Sequence, residues 1–296
     1  MKLTEADIEF LKGYDVSQFE RPSVTADTVL FRALDREDNK NKKYPKRDLE
    51  VLLIKRKNPP YGGGWALPGG FCDMHESLKA CAARELEEET GLKGSYHGQI
   101  ATFSNTLRDP RTRNIGHSFL AVVPNGVDST PVAGDDAADA AWFKVSFVLE
   151  KLSPAHYRSR LILNNEEMTI TGSMDLIQES PGSWTRTVYE DAEQLAFDHL
   201  EVISCAIECL RSRIYQSTMA FEWVEETFRL ADLQSIFEAV VEHELLRTTF
   251  FEHIKPMLRR ASVQPDENSS ILDQLYEYNQ DYCIEEGMPA IDLWLG

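Results

Sequence analysis

Residues 70–92, GFCDMHESLKACAARELEEETGL, decide how this chain is read. Glu85, Glu88 and Glu89 stand three and four residues apart in a run of Leu, Ala, Lys and Glu without internal Gly or Pro, which predicts a helix. At roughly 100° per residue the carboxylates fall within an arc of about 100°, and Leu78, Ala82 and Leu86 form an apolar stripe that overlaps its edge. On its own such a cluster reads as a solvated, Glu-rich surface. Along the rim of an apolar stripe, however, the carboxylates are only partly hydrated and repel one another. A hard divalent cation relieves that repulsion, and oxygen-only ligands suit Mg²⁺ or Mn²⁺, with water and substrate phosphates completing the shell.

The flanks extend the pattern. Trp65-Ala66-Leu67-Pro68-Gly69-Gly70 leads into the helix, and Gly91-Leu92 ends it with a C-cap glycine. The whole segment resembles the signature of the Nudix hydrolases, G-x5-E-x7-R-E-U-x-E-E-x-G-U with U aliphatic. Gly70, Glu76, Arg84, Glu85, Leu86, Glu88, Glu89, Gly91 and Leu92 meet every specified position. The resemblance implies a loop-helix-loop that binds Mg²⁺ or Mn²⁺ on the diphosphate of a nucleoside diphosphate linked to another group, X. Carried over by position, Glu85, Glu88 and Glu89 become metal ligands with Gly70 beside them. Glu76 and Arg84 become orienting members of the catalytic set, and the Gly69 and Gly70 backbone part of the substrate site.

Composition bounds the rest. A chain of 296 residues with 42% hydrophobic and 10% aromatic content suits a globular protein of two domains. The N-terminus lacks an apolar leader core and no run of about 18 apolar residues occurs, so a cytoplasmic protein without a membrane partner is expected. Five cysteines, Cys72, Cys81, Cys205, Cys209 and Cys283, lack metal-ligand spacing and read as free thiols. The net charge of −18 is uneven, −3 over residues 1–150 and −15 over residues 151–296. An acidic C-terminal half argues against nucleic acid as a partner.

Along the chain, residues 1–20 read as an amphipathic lead-in helix, with Ile8, Phe10 and Leu11 available for docking. SVTADTVLFRAL from Ser23 and LEVLLIKRK from Leu49 read as paired strands. Between them lies a charged loop whose Lys40, Lys42, Lys43, Lys46 and Arg47 are solvated or meet polyphosphate. Arg56 ends the second strand and is placed with the substrate-binding residues. Strand-like segments flank the turn holding Arg108, Arg111 and Arg113, whose guanidinium forks suit phosphate or carboxylate. That turn, and LAFDH with the helix after it, resemble features of Nudix proteins that act on or sense ADP-ribose. His199 in LAFDH reads as a cap or core residue before a base or ligand. Residues 150–190 are read as an inserted hairpin over or beside the site, closing a Nudix domain of residues 21–215.

Residues 216–265 read as a second domain. Leu233, Ile236, Phe237, Val240 and Val241 recur at helical spacing, and Thr248 is placed to cap a second helix. With a wing-like segment this is the outline of a winged helix-turn-helix, and its position resembles the Nudix-related transcriptional regulators of the NrtR type. Against a DNA surface, residues 217–262 hold 5 Lys and Arg against 8 Asp and Glu, and the second helix carries Phe250, Phe251, Ile254 and Pro256. Residues 266–296 are read as a segment packing on the body or another subunit. The expected fold is therefore α+β, an α/β/α Nudix sandwich with a mixed sheet followed by a smaller, mainly α winged-helix-like domain.

By this resemblance the expected function is Mg-dependent hydrolysis of ADP-ribose to AMP and ribose 5-phosphate by a homodimer. The alternative is an NrtR-like DNA-binding regulator that senses ADP-ribose or a sugar metabolite. Asp135, Asp136 and Asp139 are further candidates for the base, and Phe31, Phe71 and Phe103 for stacking adenine.

Overall fold

A capping box opens helix α1 (Glu5–Gly13): Thr4 Oγ1 accepts from the Asp7 N–H at 3.2 Å, and the Asp7 carboxylate accepts from the Thr4 N–H at 2.7 Å. The computed structural model describes residues 2–36, 44, 46–134, 137–262 and 270–282. Ile8, Phe10 and Leu11 stay 47%, 66% and 51% exposed, so the lead-in helix does not dock on the described body.

Alternating side chains then build a long sheet. The elements are β1 (Ser23–Asp35), β2 (Arg47–Arg56), β3 (Trp65–Ala66), β4 (Gly69–Phe71), α2 (Leu78–Thr90), β5 (Ser95–Phe103), β6 (Asn114–Val122), β7 (Ala137–Ser153), β8 (His156–Asn164), β9 (Thr169–Ser180), β10 (Ser183–Glu190) and α3 (His199–Arg213). The strand order is β10-β9-β8-β7-β2-β1-β6-β5, with β3 on β2 and β4 on β1. Strand β1 runs parallel to β6 and antiparallel to β2, which makes the sheet mixed.

Period-two alternation assigns its faces. Val29, Phe31, Val51, Leu53, Leu120, Val122 and Phe143 pack against Val202, Ile203, Ala206 and Leu210 of α3. Leu30, Leu52, Ala121 and Trp142 point the other way, against Leu86 of α2. Helices therefore cover both faces, as expected for the sandwich, and the central strand β1 reads as a nearly continuous apolar run.

Residues 150–190 form the expected hairpin and a further strand, but they do not fold over the site. Strand β7 runs for 17 residues, and β8, β9 and β10 add antiparallel strands outside it. Each strand pairs with the edge left by the one before, so the insertion grows outward in the plane of the sheet. None of its residues lines the cavity described below.

The C-terminal unit comprises β11 (Phe228–Arg229), α4 (Leu230–Val241), α5 (Arg247–Ile254), β12 (Leu258–Arg260) and β13 (Leu275–Tyr278), with a small sheet in the order β11-β13-β12. Strand, two helices and two strands give the winged-helix outline. Three expectations change here. Thr248 does not cap α5, which begins at Arg247 after Leu246. The apolar residues of α5 do not form its outer face: Phe250 and Ile254 are buried, Phe250 lying 5.1 Å from Phe237, while Arg247, Thr248, Thr249 and Glu252 are exposed. The segment from residue 266 is more than an appended packing piece, because its described part supplies β13, the middle strand of the small sheet.

Lys46 pairs with Glu244, and Arg47 pairs with Asp35 and donates to the Trp223 carbonyl, so these cations join the two units. Lys40, Lys42, Lys43, Cys283, Ile291, Leu293 and Trp294 lie outside the described residues. The other four cysteines are free thiols, and no described helix is long and apolar enough to cross a membrane.

One apolar cluster runs from Val29 in β1 through α3 and α4 to Tyr276 in β13. Phe237 sits inside it at 2% exposure. Phe237→Ala should lower the unfolding free energy by about 3–5 kcal/mol. Circular dichroism and tryptophan fluorescence should follow one denaturation transition, and a separate early transition confined to one probe would show that the two cores are independent.

Candidate active site

Ser77 caps α2, accepting from the Ala80 N–H at 3.2 Å, and Gly91 ends the helix at φ +69°. Cys81, Ala82 and Leu86 seat it on the sheet, and Thr28 of β1 donates to the Ala82 carbonyl at 3.1 Å. With that face fixed, Glu85 and Glu89, one turn apart, lie along the edge facing β4. The Gly69 N–H donates to Glu89 Oε2 at 2.9 Å. A Cβ at Gly70 would sit 2.5 Å from the Glu85 carboxylate, and one at Gly69 would sit 2.5 Å from Asp27 Oδ1. Both glycines are therefore needed for close approach.

Arg84 ties this edge together. It donates to both oxygens of Glu76 at 2.7 and 3.1 Å, to Glu85 at 2.7 Å and to Glu88 at 3.0 Å. The Arg84 guanidinium, helped by the Asp73 N–H, holds the Glu76 carboxyl down at about 2. Glu88 points outward with its side chain 60% exposed and does not line the cavity.

The inner carboxylates behave oppositely. Burial pushes Glu89 up to about 8, against the Gly69 N–H and with added repulsion from Glu85 and Asp27. Burial likewise pushes Asp27 up to about 7, against the attraction of Arg108. Asp27 Oδ2 has no hydrogen-bond partner. Glu85 is also raised, chiefly by burial. Among the described residues no group of three is already arranged as a metal cage. The donors nevertheless fit Mg²⁺ or Mn²⁺: they are oxygen only, crowded and mutually repelling, and one oxygen is unpaired.

These groups line one end of a cavity of about 430 Å³. The RDPR turn and LAFDH supply the other end. Arg111 pairs with Asp109 at 2.9 Å and lies 5.2 Å from the ring of Phe71 and 5.7 Å from that of Phe197. Arg56 lies 5.0 Å from the Phe197 ring and donates to the Pro60 carbonyl at 2.9 Å. Phe197 itself holds φ +56°, a left-handed conformation that is uncommon for an aromatic residue. Arg108 reaches the cavity wall, but Asp198 binds both prongs of its fork at 2.8 Å. Arg113 does not line the cavity and donates to the Ser104 and Asn114 carbonyls. Of the three arginines, then, only Arg111 combines exposure with a place on the wall.

Of the stacking candidates, Phe71 lines the cavity at 44% exposure, whereas Phe31 and Phe103 belong to the core. Asp139 is exposed, accepts from the Ala140 N–H and does not line the cavity; Asp135 and Asp136 lie outside the described residues. His199 Nδ1 accepts from the Leu67 N–H at 2.9 Å, which places a neutral ring's proton on Nε2. Sequence reasoning missed Asp27, Phe197 and Asp198. A lone Asp among the apolar residues of SVTADTVLF was the available signal for Asp27; Phe197 and Asp198 had none beyond the LAFDH resemblance.

A model of the NUDIX domain matches residues 29–162. The chain is 26% identical over 280 residues to the ADPR responsive transcriptional repressor NtrR of Acinetobacter baylyi, covering 92% of this chain and 89% of that one. It is 38% identical over 118 residues to the ADP-ribose pyrophosphatase of Methanocaldococcus jannaschii, covering 38% of this chain and 68% of that one. Among solved structures, a MutT/nudix family protein from Enterococcus faecalis superposes with a TM-score of 0.67 at 25% identity, covering 94% of each chain.

Two tests follow from the buried titratable groups. Because Glu89 keeps its proton below about 8, a cation must displace that proton at lower pH. Mg²⁺ should therefore raise the melting temperature more at about pH 8.5 than at about pH 6, and Glu89→Gln should reduce the difference, Asp27 at about 7 contributing the remainder. Equal shifts in the wild type at both values would count against a cation at Glu89. Burial also depresses His199 to about 4. An unfolded histidine titrates near ~6.5, so its contribution to stability is complete above that value and falls by about 3 kcal/mol as the pH drops to about 4. His199→Asn, which retains an acceptor for Leu67, should show a shallower loss in denaturant titrations; identical slopes would refute a buried neutral imidazole.

Proposed function

The chain belongs to the Nudix family, and from that premise we propose that it hydrolyses the diphosphate of ADP-ribose to AMP and ribose 5-phosphate, acting as a homodimer. The observation that carries the reading is one cavity with a carboxylate wall at one end and an Arg-aromatic wall at the other. Glu85 and Glu89, with the Gly70 carbonyl, would hold Mg²⁺ or Mn²⁺. When bound, the cation supplies charge that polarises the diphosphate and acidifies an attacking water. Arg84 fixes Glu85 and anchors the loop before α2 through Glu76. The wall of Asp27, Glu85 and Glu89 receives the water's proton as oxygen bonds to phosphorus and the bridging oxygen leaves. Arg111, whose Nε and Nη2 are held by Asp109, presents Nη1 and its charge to an oxyanion, and Phe71 and Phe197 present ring faces for adenine.

Incubation with Mg²⁺ and ADP-ribose should release AMP and ribose 5-phosphate, and Glu89→Gln should slow turnover by about 10³-fold. No AMP from the wild type, or equal rates from both proteins, would end this reading.

A second reading has its own support. Similarity to the repressor runs through the C-terminal unit, and α5 turns Arg247, Thr248 and Thr249 outward. We propose a DNA-binding regulator as this alternative, although the unit's excess of acidic residues opposes phosphate contacts. Promoter DNA retarded by the protein and released by ADP-ribose would support it; no retardation at low salt would remove it.

A further inference from the structure

Leu67 and Gly69, two residues apart, direct their backbone N–H groups at side chains from different helices. The Leu67 N–H donates to His199 Nδ1 at 2.9 Å, and the Gly69 N–H donates to Glu89 Oε2 at 2.9 Å. Two residues of extended chain span at most about 7 Å, so the imidazole at the start of α3 is held close beside the carboxylate wall. On its other side the ring of Phe197, two residues back, lies 5.5 Å away. His199 therefore lines the cavity where the acid wall and the Arg-aromatic wall meet.

The two ring nitrogens are used differently. Nδ1 is committed to Leu67, which leaves the proton of the neutral ring on Nε2. Among the described residues nothing accepts from Nε2, nor is Nε2 one of the polar atoms sealed from solvent without a partner. The Nε2–H is therefore the polar group that this ring offers to the cavity it lines. Neighbouring donors are already engaged: Asp198 holds both prongs of Arg108, Asp109 holds Nε and Nη2 of Arg111, and Glu89 holds the Gly69 N–H. Burial keeps the imidazole uncharged against the pull of Asp198, with Arg108 and Arg56 also opposing a further charge. A second proton, on Nδ1, would in addition break the bond from Leu67.

We propose that His199 binds the substrate as an uncharged hydrogen-bond donor, its Nε2–H meeting a non-bridging oxygen of the diphosphate. This inference rests on the hydrolysis proposed above and adds a binding contact to it. The choice of acceptor comes from position and charge. The imidazole and Glu89 are anchored to the same short segment, so the donor lies beside the place where the cation and its phosphates gather. Adenine, against Phe71 and Phe197, lies on the far side. A hydrogen bond to a charged oxygen is stronger than one to a neutral acceptor, and a donor without charge fixes the diphosphate without competing with the cation.

Two variants separate the ring's nitrogens. His199→Asn keeps an acceptor near the Nδ1 position and has no donor at Nε2, whereas His199→Gln places an amide N–H near Nε2 and gives up the bond from Leu67. In calorimetric titrations with ADP-ribose in EDTA, His199→Asn should bind about 10- to 100-fold more weakly than the wild type and His199→Gln within about threefold of it. Melting temperatures should rank the other way, with His199→Gln the lower. In wild-type protein carrying isotopically labelled histidine, ADP-ribose should move the Nε2–H proton resonance downfield, and adenosine should not. Binding that follows the melting temperatures instead, an Nε2–H unmoved by ADP-ribose that does bind, or equal movement with adenosine would overturn this contact and leave the proposed hydrolysis standing. A wild type that neither binds nor cleaves ADP-ribose would overturn both.

Discussion

The bond from the Gly69 N–H to Glu89 fixes the geometry on which the site depends. It joins the end of one strand to the last turns of α2, whose apolar face is already seated on β1 and cannot rotate away. Asp27 lies beneath the same junction, with Glu85 beside it. Three carboxylates are thus drawn into a space that excludes much of their hydration. For Glu89, a value of about 8 against an unfolded value near ~4.3 costs about 4 kcal/mol at neutral pH. The packing of two helical layers on a mixed sheet has to carry that cost.

The opposite wall is secured by a different kind of contact. Arg108 and Asp198 form a bidentate pair in a buried setting, fastening the RDPR turn to the start of α3. The far end of α3 is held as firmly: Arg211 donates to the Val240 carbonyl and pairs with Glu242, while Arg213 grips β5. One helix therefore begins at the cavity and ends on the helix that precedes α5. The continuous apolar cluster has the same cause, since α3 and α4 share a face of the sheet.

Much of this was legible in the sequence because the underlying signals are local. The helical spacing of Glu85 and Glu89, the glycines before them and the alternation in β1 are read within a few turns or one strand. What stayed hidden depends on distant partners. Nothing near Arg108 in sequence says that Asp198 will claim its fork, leaving Arg111 as the exposed guanidinium. Phe31 and Phe71 look alike in composition, and only the depth of β1 and the exposure of β4 separate core from cavity. The insertion after residue 150 was seen as strands, but period-two alternation does not tell whether new strands fold over a site or extend an edge. In the second helix of the C-terminal unit, counting aromatic residues misjudged the outer face, because Phe250 and Ile254 are one turn apart and both point inward.

The carboxylate wall also bears on the choice between hydrolysing a ligand and merely sensing it. A sensor needs the Arg-aromatic end of the cavity, where Arg111, Phe71 and Phe197 can hold charge and a planar ring without burying an acid. It gains nothing from a carboxylate held near a value of 8 or from an aspartate oxygen with no partner. Such groups destabilise the unliganded fold and are offset only when positive charge enters beside them. In the proposed hydrolysis, a diphosphate carrying a divalent cation would bring that charge to the reacting atoms. Proton affinities near neutrality are also what a wall receiving a water's proton requires. The acid wall is thus the feature on which the proposed hydrolysis rests, while the outward threonines and the acidic balance of the C-terminal unit bear on the alternative reading at a different surface.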